Sequence, residues 1–189
     1  MRIVVAIAMV IALTDSQIER AQQVARSRDS EREQFHKGYI FKPASDTVIQ
    51  IEVVTEFRRL VLVTEQHLLA GDQMFSRGVR QAKEALAPKR GLLSLKAQLR
   101  FHPQNAYTTV PAFKLALIPG AGSAWTELDT TVTGEFVPGR KRGQFQTITG
   151  AVLDADVPAA RIGQATAPVG VVLDGKELAR AVVDFGRLD

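Results

Sequence analysis

The stretch LSLKAQLRFH at residues 93–102 decides the fold reading. Leu93, Leu95, Ala97, Leu99 and Phe101 alternate one for one with Ser94, Lys96, Gln98, Arg100 and His102. Successive side chains of a strand point to opposite faces, so a strict period of two means one dry face and one wet face. No helix places five apolar and five polar residues in that order.

The same period recurs on either side. In TVIQIEVVT (47–55), Ile49, Ile51 and Val53 oppose Gln50 and Glu52. Residues 112–118 set Phe113, Leu115 and Leu117 around Lys114 and Ala116. Further strands are expected at 127–137, 144–153, 168–173 and 177–185. The last two meet at Asp174-Gly175, a pair that accepts the positive φ angles of a type I′ hairpin. Pro-Gly turns at 119–120 and 138–139 punctuate the rest. Short strands with tight turns predict a mainly β fold: a single antiparallel β-sandwich or barrel-like domain over 39–189.

That domain is expected to carry an N-terminal helix and one short helical insertion near 76–87. There Ser76 caps, Val79, Ala82 and Leu86 share a face, and Pro88 follows the end. Residues 57–70 (FRRLVLVTEQHLLA) read in both periods, and the expectation is a strand turning helical near Glu65.

Residues 3–13 (IVVAIAMVIAL) are uninterruptedly apolar behind Met1-Arg2. About 20 such residues are needed to span a bilayer, and a signal-peptide core needs about 7–15. Residues 1–14 are therefore read as a signal peptide, with Ala12 and Thr14 at its cleavage site. An exported protein, periplasmic or extracellular, follows, with no transmembrane span in the mature chain. The alternative makes 3–13 a core strand of a cytosolic α/β protein. Against it, Leu13-Thr14-Asp15-Ser16 has no glycine for a phosphate-binding turn.

Residues 15–38 read as an amphipathic helix or linker opened by a Ser16–Glu19 capping box. Its apolar stripe (Ile18, Ala21, Val24, Ala25) is thin, which predicts a mostly exposed helix. Arg26, Arg28, Arg32 and Lys37 with Asp29, Glu31 and Glu33 read as a solvated mixed-charge face.

The 189 residues include no cysteine, which excludes disulfides, thiolate nucleophiles and Cys-ligated zinc. The net charge is +4, from 24 Lys+Arg and 20 Asp+Glu. Its basic residues are not massed on one segment, so nucleic acid is an unlikely partner on electrostatic grounds.

Chemistry is harder to find. His36, His67 and His102 occur without H-x-x-x-H or H-x-H spacing, so neither metal nor cofactor is expected. No G-x-S-x-G elbow nominates a serine. Binding candidates are His102, Asn105 and Tyr107, which group an imidazole, an amide and a phenol after the strongest strand. Trp125, the single tryptophan, could stack on a ligand. Arg140, Lys141 and Arg142 form a basic tip framed by glycines. Asp154 and Asp156 set two carboxylates on one strand face. These features predict non-enzymatic binding or structural interaction, with an envelope or extracellular protein or glycan as partner. The alternative is an envelope hydrolase working through dispersed His and Asp residues.

Overall fold

The computed structural model describes residues 12–104, 109–117, 124–136, 148–162 and 166–188. Among them are four α-helices: α1 (Asp15–Ala25), α2 (Asp29–Lys37), α3 (Glu56–Leu69) and α4 (Val79–Leu86). The strands are β1 (Ile40–Phe41), β2 (Val48–Val54), β3 (Leu92–Arg100), β4 (Phe113–Leu117), β5 (Thr126–Glu127), β6 (Thr131–Phe136), β7 (Ile148–Pro158), β8 (Thr166–Leu173) and β9 (Lys176–Asp184). They form two open antiparallel sheets, ordered β1-β2-β3-β7-β6 and β5-β4-β8-β9. The fold is mixed α/β. This corrects the mainly β expectation of a sandwich or barrel with one N-terminal helix and a short insertion, and with it the functional expectation of a β-domain.

Sheet geometry follows from the alternation. Leu95, Ala97 and Leu99 of β3 lie on the buried side with Ile51 and Val53 of β2 and Leu153 and Ala155 of β7. Across from them stand Leu115 and Leu117 of β4, Val169 and Val171 of β8, and Val183 of β9. The rings of Phe101 and Phe113 stack at 5.7 Å between the two sheets. On the other face of β3, Ser94 and Lys96 stand directly opposite Asp156 and Asp154. Asp174 and Gly175 take φ of 51° and 72°, closing the β8–β9 hairpin. Each sheet keeps its edge strands, so no barrel closes.

The helices build a second core of their own from Ile18, Ala21, Ala25, Phe57, Leu60, Val61, Phe75, Ala82 and Leu86. The expected exposed helix over 15–38 is in fact two helices, broken at 26–28. Thr14 caps α1, with Gln17 completing the capping box, rather than Ser16 with Glu19. Ile18, Ala21 and Ala25 of the thin stripe are buried and Val24 half-buried, because Ala21 and Ala25 let the α1 backbone approach α3 closely. The segment expected to begin as a strand at 57 is helical throughout, capped by Thr55. Its buried residues Phe57, Leu60, Val61 and Thr64 recur at helical spacing. Ser76 does not cap the next helix; it is buried in a 3-10 turn, and Gly78 occupies the cap position of α4.

Polar side chains tie the helical core to the rest. Gln22 of α1 is buried and donates through Nε2 to the carbonyls of Phe75 (3.1 Å) and Gly78 (3.3 Å). Arg59 of α3 donates to the carbonyls of Lys89 and Leu92 and to Ser94 Oγ on β3. Residues 3–11 of the apolar run lie outside the described residues, so neither the leader nor the core-strand reading is tested; Leu13 packs against the helical core. The helix after it is seated in a core rather than trailing as a linker. No described helix is long and apolar enough to cross a membrane.

Candidate functional site

A cleft of about 390 Å³ opens between α2 and α3. From α2 it takes Asp29, Arg32, Glu33 and His36, spaced i, i+3, i+4, i+7 along one helical stripe. From α3 it takes Glu65, Leu68 and Leu69, spaced i, i+3, i+4, and Ala25 at the end of α1 closes it. The break at 26–28 sets this geometry. It folds α2 back so that its polar stripe faces the last turn of α3.

At the centre His36 Nε2 lies 3.0 and 3.2 Å from the two carboxylate oxygens of Glu65. Arg32 Nε lies 3.7 Å from the same carboxylate. The remaining Arg32 nitrogens donate to the carbonyls of Ala25 and Ser27 and to Asp29. The guanidinium thus satisfies the last carbonyls of α1 and buttresses the cleft. His36 packs edge-on against Phe35, whose ring meets Phe57 of the helical core. Its Nδ1 is buried with no hydrogen-bond partner.

These contacts limit the chemistry. A carboxylate accepting from Nε2–H of an imidazole is the first half of a general-base arrangement. Nδ1 is sealed from solvent, however, so it has no route to a substrate proton in this conformation. The pair therefore positions rather than transfers. What the cleft presents to a ligand is the residual acceptor capacity of Asp29, Glu33 and Glu65, which are engaged by Arg32, by Lys37 at 2.9 Å, and by His36 and Arg32, beside the apolar walls of Leu68 and Leu69. Leu69, which lines the cleft, is 90% exposed.

Of the binding residues proposed from sequence, the two that are described, His102 and Trp125, lie outside this cleft. His102 sits on the exposed turn after β3, where Nδ1 accepts from the amide of Gln104 at 3.2 Å. Asn105, Tyr107, Arg140, Lys141 and Arg142 lie outside the described residues. Trp125 lies on the outer face of the second sheet, half-buried, its Nε1 donating to Glu177 of β9 at 3.1 Å. Asp154 and Asp156 are engaged by Lys96 (3.3 Å) and Lys89 (3.0 Å). They border a second, polar cleft with Asp129, Thr131 and Thr133. His67 pairs with Asp72 at 3.0 Å, far along the chain from His102, so the histidines expected of a dispersed hydrolase occupy separate contexts.

No family model matches this chain. No curated protein does either. Among solved structures there is a likeness to a novel protein of unknown function from Burkholderia pseudomallei, with 15% identity and a TM-score of 0.45. It covers 95% of this chain and 100% of that one.

Sequence reasoning missed the cleft because its two stripes are 29 residues apart at the His36–Glu65 contact. The signal was present in 29–36 as polar residues at helical spacing. A solvated helix face gives the same pattern, and only the neighbouring α3 distinguishes the two.

Proposed function

We propose that this mixed α/β protein binds a small amphiphilic organic cation in the α2–α3 cleft. One observation supports the reading. Every nitrogen of Arg32, the cleft's guanidinium, has a protein partner; the three carboxylates beside Leu68 and Leu69 are each engaged too (Asp29 by Arg32, Glu33 by Lys37, Glu65 by His36 and Arg32), but a carboxylate offers about four lone-pair sites, so acceptor capacity is left over where no donor is. A cationic head finds acceptors there, and an apolar tail finds the leucines. The volume falls within the range of small-ligand pockets, about 300–1,000 Å³. Glu65 is held in place by His36 and Arg32, so its carboxylate is positioned before a ligand arrives.

The test is an NMR titration of backbone amides and leucine methyls with hexylammonium, hexanol and hexanoate. The reading expects shifts at His36, Glu65, Leu68 and Leu69 with hexylammonium, smaller ones with hexanol, and none with hexanoate. Replacing Glu33 and Glu65 together by Gln is expected to weaken hexylammonium binding by at least about tenfold, since one charge-assisted contact is worth about 1.5–3 kcal/mol. Equal response to cation and anion, or shifts confined to other regions, overturns it.

A further inference from the structure

Strand β9 ends the four-stranded sheet, with β8 on one side and no strand among the described residues on the other. Such an edge carries a row of amides and carbonyls free to pair. The register shows which residues supply them. Val182 stands opposite Pro168, and Arg180 and Asp184 stand opposite Gly170 and Thr166. Pro168 has no N–H to exchange, so Pro168–Val182 belongs to the set of pairs whose amides point away from their shared ladder. By the alternation of an antiparallel ladder, the N–H and C=O groups of Arg180, Val182 and Asp184 face the open edge.

The side chains of the same three residues share one face of the strand. Val182 is 62% exposed between the basic Arg180 and the acidic Asp184. The ladder irregularity at Val171/Val172 lies toward the hairpin end, which leaves Ala179 to Asp184 as the regular part of the edge.

We propose that β9 pairs antiparallel with β9 of a second copy of this chain, with Val182 on the two-fold axis. In that register Val182 meets Val182 of the second copy as a hydrogen-bonded pair. Arg180 stands opposite Asp184 on both sides of the axis, giving two cross-strand ion pairs per interface. The arrangement is isologous, as a two-fold interface requires, and joins the two sheets into one continuous sheet. Opposite charges directly across a strand pair stabilise it and like charges destabilise it. A stretch with charges of one sign, or a charge at the central position, could not pair with itself in this way. The sequence Arg-Ala-Val-Val-Asp at 180–184 is self-complementary.

The experiment is sedimentation equilibrium on the full chain and on two charge variants, alone and mixed. The wild type is expected to dimerise. Arg180→Asp places Asp opposite Asp at both contacts, and Asp184→Arg places Arg opposite Arg. Each is expected to weaken self-association at least tenfold. Mixing the two restores both opposite-charge contacts, so a heterodimer is expected, and the double exchange in one chain restores the homodimer. Because Asp184 also accepts from the amide of Gly186 and pairs with Arg187, circular dichroism must show each variant folded. Val182→Pro supplies the second line. It removes an outward N–H without touching the β8 ladder, and should give a folded monomer. A monomeric wild type overturns the proposal and leaves β9 as an edge for some other strand. So does a dimer indifferent to Val182→Pro and to both charge variants.

Discussion

Arg58 of α3 and Glu52 of β2 meet at 2.6 Å, with the arginine side chain almost wholly buried. Arg58 Nη1 also donates to the carbonyl of Val53 at 2.7 Å, and its guanidinium lies 5.0 Å from the Tyr39 ring centre. This side chain, with that of Arg59, joins the helical core to the first sheet. Burial lowers its pKa, and the Glu52 carboxylate works against that shift.

Removing Arg58 should therefore cost more than removing Glu52. Arg58→Ala leaves a carboxylate unpaired and a cavity beside Tyr39, and a loss of about 3 kcal/mol is expected. Glu52→Gln keeps a hydrogen-bond acceptor, and a loss of about 1 kcal/mol is expected. Urea unfolding of both variants checks the order; equal losses would mean that Arg58 is not a tie between the layers.

Asp156 should give the acid limb of the stability curve a slope. Burial raises its pKa, but the Ser94 hydroxyl at 2.5 Å and Lys89 outweigh it and hold the carboxyl below its ordinary value of 3.8. The unfolded chain then binds more protons than the folded one in the interval below 3.8. Stability rises with pH there and is lost as pH falls through the folded pKa. Asp156→Asn should flatten that part of the curve, measured by thermal melts between pH 2 and about 5.

The single tryptophan reports on Gly170. A Cβ built there would come within 2.8 Å of both the Trp125 ring and the Ala179 carbonyl. Gly170→Ala should displace the indole from β8, break its bond to Glu177 and red-shift its fluorescence. A loss of about 1–3 kcal/mol is expected from the overpacking. An unchanged emission spectrum would show that the ring is not seated against the strand.

The β8–β9 turn separates two adjacent positions. Gly175 has φ of 72° with open space around it, so Gly175→Val is strained by backbone alone, by about 1–2 kcal/mol. Asp174→Gly keeps the same positive φ without a Cβ and should be neutral or slightly stabilising. Thermal melts should place Gly175→Val below the wild type and Asp174→Gly level with it or slightly above.

The strands were the most legible part of the chain. LSLKAQLRFH became β3, and the Asp174-Gly175 hairpin has the positive φ angles expected of it. The helices were less legible. Residues 57–70 hold Leu60-Val61-Leu62-Val63, which satisfies either period until Phe57, Leu60, Val61 and Thr64 are seen to share one buried side. The alanines of α1 read as a poor apolar stripe, yet they are what permits close contact with α3. The cleft was not legible at all. Neither Arg32 nor Glu65 carries a motif, and their meaning comes from a helix break and a neighbour.

Short-range pattern thus determined where strands alternate, where the chain turns, and which chemistries the missing cysteines exclude. Those properties depend on a residue and its near neighbours, through the fixed geometry of a pleat or a turn. Tertiary structure alone decided that the chain is mixed α/β, that the helices own a separate core, and that His36 faces Glu65. Such facts rest on contacts between distant segments, selected by the burial of whole faces rather than by local preference. The same division runs through β9: its alternation is written in residues 176–184, and its open edge exists only because of its place at the end of the sheet.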